Sequence, residues 1–97
     1  MIRGSTPSFS FVLPSDASCY STIDIHFVQN ENTVLSVSKE SLTLNGNEVS
    51  FTMSETDSLR FSDSVPAEIQ LRLVSADGTV LVSEIRKIAV RKNLFKN

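Results

Sequence analysis

Short segments in which apolar and polar residues alternate constrain this fold more than any other feature. In the first of them, Phe9, Phe11 and Leu13 fall on one face of an extended chain, whereas Ser8 and Ser10 fall on the other. Successive side chains of a β-strand point to opposite faces, so this pattern predicts a strand with one buried face. Similar segments recur at intervals of about 8–12 residues, a spacing that is typical of an antiparallel β-sandwich or a small barrel.

The alternation predicts about seven short strands. They occupy residues 8–13, 22–28, 33–38, 42–44 and 48–53, then the two strands of a hairpin that begins at Ala67, the second of which starts at Val80 and ends at Val90. In that last stretch the alternation changes phase at Arg86-Lys87. A one-residue insertion reverses the facing of every later side chain, so the phase change predicts a β-bulge or a change of sheet.

Turn residues separate the predicted strands. Asn45-Gly46 and Asp77-Gly78 are strong hairpin signals, and we expect a two-residue primed turn at Asp77-Gly78 because such turns need positive φ. Asn30-Glu31-Asn32 also has turn chemistry. Ser54 can cap a single helical turn within residues 54–61, and we expect Leu59 in that turn to lie under the sheet.

The length and charge of the chain limit its organisation. Its 97 residues suit one domain, which we place at residues 8–91, between an extended N-terminal arm (1–7) and a basic C-terminal tail (92–97). The net charge of −2 argues against general nucleic-acid binding. Five basic residues nevertheless follow Glu84 with no acid among them, namely Arg86, Lys87, Arg91, Lys92 and Lys96.

Few residues suggest chemistry. Cys19 is the single cysteine, so no intrachain disulfide can form, and His26 is the single histidine. A nucleophilic cysteine needs a histidine base, but His26 falls on the polar face of a predicted strand. One histidine and one cysteine cannot complete a closed zinc site, and Asp57 and Asp63 lack the acidic loop of a calcium site. We therefore expect no catalytic residues, metal or cofactor.

The two ends of the chain are the predicted partner contacts. A free extended arm can add a strand to a neighbouring sheet; simple disorder of residues 1–7 is the alternative. The basic C-terminal segment can meet an anionic partner or dock Leu94-Phe95 into another subunit, and a solvated tail is the alternative. The predicted contact residues are Ile2, Arg3, Arg86, Lys87, Arg91, Leu94 and Phe95.

Several segments together resemble a known group of proteins. They are Ile2–Pro7 before a Phe-x-Phe strand, Ser54–Phe61 after a Val-x-Phe-x-Met strand, Glu68–Arg72 leading into Asp77-Gly78, and Val82–Ile85 before a closing Ile-x-Val. The chain resembles small single-domain proteins of phages and prophages of Gram-positive bacteria, and is similar in plan to the immunoglobulin-like N-terminal domain of phage baseplate upper proteins. The resemblance implies an immunoglobulin-like β-sandwich without an active site.

The resemblance also implies a function. We expect a non-enzymatic, virion-associated structural or adaptor protein of the tail, baseplate or capsid surface. Its partners would be other virion proteins or copies of itself, with no small-molecule substrate, membrane or nucleic acid. The chain shows neither a signal-peptide pattern nor an apolar stretch long enough to span a bilayer, so we expect synthesis in the host cytoplasm. The alternative is a small intracellular phage protein that binds and inhibits a host factor.

Overall fold

Eight strands and one α-helical turn lie within residues 1–95, which are the residues that the computed structural model describes. The strands are β1 (Ser8–Val12), β2 (Tyr20–Gln29), β3 (Asn32–Ser38), β4 (Thr43–Asn45), β5 (Glu48–Thr52), β6 (Ala67–Ser75), β7 (Val80–Val82) and β8 (Arg86–Ile88). The helical turn is α1 (Glu55–Ser58), and two 3₁₀ turns lie at Ala17–Cys19 and Lys39–Ser41. The last two residues of the predicted tail, Lys96 and Asn97, lie outside the described residues.

The strands form two sheets whose ladders are all antiparallel. One sheet has the order β1-β5-β4. The other has the order β3-β2-β6-β7, and β8 pairs with β6 farther along the same edge as β7. This arrangement confirms the predicted all-β, antiparallel sandwich. There are eight described strands because the last predicted strand is divided into β7 and β8.

The core is built on the pairing of the two longest strands, β2 and β6. Ile25 lies opposite Leu71, and Phe27 lies opposite Ile69. Paired residues of a ladder share a face, and all four of these side chains are buried. The ring of Phe27 also meets three other phenylalanine rings edge-on, at centroid distances of 5.2 to 6.0 Å; these are Phe9, Phe51 and Phe61. Such ring pairs add about 0.5–1.5 kcal/mol each to the burial of their area.

The predicted hairpin at Asn45-Gly46 is confirmed, since Asn45 pairs with Glu48, whereas the turn at Asp77-Gly78 differs in type from the prediction. At Asp77-Gly78 the N–H of Ser75 donates to Thr79 O, so the loop has three residues, and only Gly78 has positive φ, at 88°. A type I turn followed by a left-handed glycine is the usual three-residue loop. The two-residue primed turn occurs instead at Asn30-Glu31, where φ is 49° and 65°. The register of the flanking strands determines the type of both turns, and the turn dipeptides alone do not reveal that register.

The bulge in the last strand is confirmed, although it lies earlier than predicted. Val82 pairs with Arg72 in β7, whereas Arg86 pairs with Ile69 in β8. From Val82 to Arg86 the edge advances by four residues, whereas β6 advances by three between the paired residues Arg72 and Ile69. One extra residue is therefore inserted within Ser83–Ile85. The predicted position at Arg86-Lys87 was too late because Ile85, taken as part of the alternation, lies in the bulge and is exposed.

The helical turn α1 is capped as predicted, but a different side chain is buried. Ser54 Oγ accepts the N–H of Asp57 at 3.1 Å. The prediction that Leu59 lies under the sheet was wrong, because Leu59 is only half-buried and Phe61 is buried in its place. A second turn, in which the N–H of Phe61 donates to Ser58 O at 3.3 Å, brings the phenylalanine back toward the core.

Candidate protein-contact edge

Strand β7 exposes all three of its apolar side chains. Val80, Leu81 and Val82 are 47%, 43% and 58% exposed. The strand lies at the end of the longer sheet, and the three strands of the other sheet leave its inner face partly uncovered. Of the eight strands in residues 1–95, β7 is the one composed entirely of apolar residues.

The backbone of β7 also has unpaired hydrogen-bonding groups on its outer side. Ser75 bonds to Thr79 and Leu71 bonds to Ser83 across the β6–β7 ladder. Bonded and non-bonded pairs alternate in an antiparallel ladder, so Leu81 bonds toward β6. The N–H and C=O groups of Val80 and Val82 therefore point away from β6, toward the open edge.

Ser83 ends this apolar edge and begins the bulge. Its N–H donates to Leu71 O at 2.9 Å, and its Oγ accepts the N–H of Leu71 at 2.9 Å. The hydroxyl thus replaces the backbone carbonyl that would bond to Leu71 in a regular ladder, and it donates in turn to Glu84 O at 3.0 Å. Gln70 Nε2 donates to Ser83 O at 2.9 Å. These bonds hold the backbone in place where the strand turns out of register.

Two grooves run beside β7 and the bulge, between the two sheets. One, of about 350 Å³, lies between the chain at Val12–Pro14 and Leu81, with Leu73 among its lining residues. The other, of about 410 Å³, lies between β1 and the bulge. There the Arg86 guanidinium lies 5.1 Å from the centre of the Phe11 ring, a cation–π contact. Arg86, predicted as a partner contact, therefore lies beside the exposed edge.

Charges lie at both ends of the β7 edge and are absent from its middle. Asp77 stands in the turn before β7, and Arg86 and Lys87 stand in β8. Hydrogen bonds from the Ser75 hydroxyl and from the N–H of Thr79 lower the pKa of Asp77 to about 2. The turn is therefore anionic at neutral pH, whereas β8 is cationic.

The N-terminal arm is bound to its own domain. The N–H of Arg3 donates to Arg91 O at 3.1 Å. The Arg3 guanidinium donates to Leu59 O at 2.8 Å and to Phe61 O at 2.5 Å, which satisfies carbonyls beyond the end of α1. In this structure residues 1–7 form a docked segment that closes one end of the sandwich, and the side chain of Arg3 is engaged within the chain.

The other predicted contact residues lie at the surface. Ile2 forms an isolated parallel bridge with Arg91 and is half-exposed. Lys87 is exposed in β8. Leu94 and Phe95 are 82% and 81% exposed. The structure thus brings Ile2 and Arg91 together, at a site separate from the β7 edge.

The residues considered for chemistry are not brought together. Cys19 ends a 3₁₀ turn, and His26 lies seven residues later on the exposed face of β2, so about 20 Å of extended chain separates them. Asp57 is paired with Arg60 at 3.6 Å. Within residues 1–95 no three His, Cys, Asp or Glu side chains are grouped so that they could hold a metal ion. None of the described helices has the length and apolarity needed to cross a membrane.

The exposed apolar edge at β7 is not evident from the alternation of the sequence. Alternation assigns every second residue of a strand to a buried face, whereas Val80, Leu81 and Val82 are apolar in succession and all exposed. Three successive apolar residues beside a turn were the available signal, but a strand buried on both faces gives the same pattern. Whether such a strand is buried on both faces or exposed depends on how many strands the facing sheet has.

Comparisons with protein-family models, with curated proteins and with solved structures found no match for this chain.

Proposed function

We propose that this protein is a non-enzymatic structural or adaptor protein that acts through protein–protein contacts, in the setting of a phage virion. The observation that carries the contact role is the open β7 edge. It offers unpaired backbone groups at Val80 and Val82 together with apolar side chains on both faces of the strand. An edge of this kind can add another strand to its sheet.

The remaining edge segments are less suited to this role. Strand β8 continues the same edge but carries Arg86 and Lys87, and charged residues of this kind discourage strand pairing. Strand β3 alternates with exposed serines at Ser36 and Ser38, and β1, the edge of the other sheet, does so at Ser8 and Ser10. Strand β4 begins and ends with the polar residues Thr43 and Asn45. An incoming strand is therefore directed to β7.

The virion setting rests on the resemblance of the sequence to immunoglobulin-like phage proteins. Tail, baseplate and capsid surfaces are assembled by repeated contacts between small rigid modules, and a sandwich with one open edge suits such an assembly. The partners in this proposal are other virion proteins or copies of the chain itself.

Labelling of assembled particles tests the setting. A tagged copy is expressed during phage production, the particles are purified, and the tag is located by negative-stain electron microscopy. We expect a label at a fixed position on the particles. A tag that is expressed but absent from purified particles would contradict the virion setting.

Crosslinking tests the contact role in the same particles. A photoreactive amino acid at Val82 should form an adduct with a virion protein or a second copy. The same group at Ser36, on the opposite edge of the sheet, is the matched control. Equal adducts from both positions, or adducts from Ser36 alone, would contradict a role for β7.

A further inference from the structure

The β7 edge is complementary to itself under a two-fold rotation. If a second β7 pairs antiparallel with the first and the axis passes beside Leu81, Val80 of each copy lies opposite Val82 of the other. The free N–H and C=O groups of β7 belong to these two valines. Each Val80–Val82 pair then exchanges two hydrogen bonds, so the two pairs form four without changing the bonds to β6.

The side chains match in this register as well. Leu81 shares a face with buried Leu73, so it lies on the inner side of the sheet, and it would meet Leu81 of the second copy. Val80 and Val82 lie on the outer side, where Val74 pairs with Val80. The two copies would therefore bring four valines into contact, with Val74 of each copy beside them.

The charges favour the antiparallel orientation. In this orientation the acidic turn of each copy, at Asp77, lies toward the end of the edge where Glu84 is followed by Arg86 and Lys87 of the other copy, a segment with a net positive charge. A parallel arrangement would instead place the acidic turns together and the two basic β8 strands together. Like charges directly opposite each other disfavour strand pairing.

We propose that the β7 edge binds a second copy of this chain, forming a two-fold dimer in which the sheets join into one continuous eight-stranded path. The inference rests on the proposed contact role and names the partner. Three paired residues per copy make a small interface, so we expect a dissociation constant on the order of 100 µM. The dimer would therefore form where the protein is concentrated, as within an assembly.

Sedimentation velocity between about 10 µM and 1 mM tests the dimer. Val82→Pro is the sharpest variant, because its N–H faces the open edge and proline is tolerated at such positions. It removes two of the four intermolecular hydrogen bonds and should weaken the dimer about 30-fold. Leu81→Lys places two ammonium groups opposite each other and should also prevent pairing.

Leu44→Lys is the matched control, because Leu44 has the same 43% exposure as Leu81 and lies in β4 of the other sheet. It should dimerise like the unaltered protein. If Val82→Pro fails to fold, as judged by its thermal unfolding, Leu81→Lys carries the test. A chain that stays monomeric at 1 mM, or a dimer unaffected by Leu81→Lys, would overturn the inference.

Different results would contradict the dimer and the proposed function. A monomeric chain that crosslinks from Val82 to a different virion protein would overturn the dimer and support the contact role. A dimer disrupted by Leu81→Lys, together with a tag absent from particles, would support the dimer and contradict the virion setting.

Discussion

Gln29 offers the clearest test of how the core is held together. Its side chain is 7% exposed. Its Nε2 donates to Ser62 O at 2.8 Å and to Val65 O at 3.0 Å, and its Oε1 accepts the N–H of Ser62 at 2.9 Å. One amide at the end of β2 therefore holds the loop that leads into β6, and only an amide can donate and accept in this way.

Replacing the amide gives an effect of predictable size. Gln29→Met keeps the approximate side-chain volume but loses three hydrogen bonds, each contributing about 1 kcal/mol net. We expect a loss of about 3 kcal/mol in the free energy of unfolding, which corresponds to roughly 12–24 °C in Tm for a domain of this size. Urea denaturation followed by circular dichroism measures the loss.

Gln29→Glu adds a dependence on pH. The carboxylate can accept the N–H of Ser62, but it repels the carbonyl oxygens of Ser62 and Val65, so its pKa should rise above the unfolded value of about 4.3. A raised pKa on an acid destabilises the folded state above the unfolded pKa. The variant should therefore approach the unaltered protein in stability as the pH falls from 7 toward 4. A loss below about 0.5 kcal/mol at pH 7 for both variants would mean that the amide of Gln29 does not hold the loop, since this is the scale of a neutral surface change.

Three further predictions concern the turns and the bulge. Glu31→Gly should raise the free energy of unfolding by about 0.5–1 kcal/mol by relieving a positive φ, whereas Glu31→Ala should not; urea denaturation of both checks this. The lowered pKa of Asp77 stabilises the fold above the unfolded value of about 4, so the Tm advantage over Asp77→Asn should shrink as the pH falls to about 2; an unchanged difference would contradict the hydrogen bonds to that carboxylate. Ser83→Ala should cost about 1 kcal/mol by leaving the N–H of Leu71 without its acceptor, and amide exchange at Leu71 should accelerate; unchanged exchange would contradict that bond.

The sequence was sufficient to predict the fold class because local pattern determines strand facing. Ile25 and Phe27 alternate with Asp24 and His26, and the buried residues of β2 follow that alternation. The phase change near the C-terminus likewise indicated an inserted residue. Both inferences need only the two-residue period of a strand and the preference of apolar side chains for the core.

Details that depend on contacts between distant segments could not be predicted. Glu31 has no side-chain feature that favours positive φ, and the register of β2 with β3 imposes it. Leu59 and Phe61 are both apolar and near α1, so composition does not show which one the core accepts. The docking of Arg3 on carbonyls more than fifty residues away is equally invisible to local pattern.

The candidate contact surface was the least predictable feature. The exposure of Val80, Leu81 and Val82 follows from the position of β7 at a sheet edge and from the short facing sheet. Strand order is a property of the whole chain, and local pattern does not contain it.

Amide hydrogen exchange along β7, measured as the protein concentration rises, shows whether the outer side of this strand pairs with a second copy. The N–H of Leu81 bonds within the domain and should be protected at every concentration. Those of Val80 and Val82 face the open edge and should gain protection only as copies pair. Exchange at Val80 and Val82 that stays equally fast up to about 1 mM, and in purified particles that contain the protein, would contradict the account.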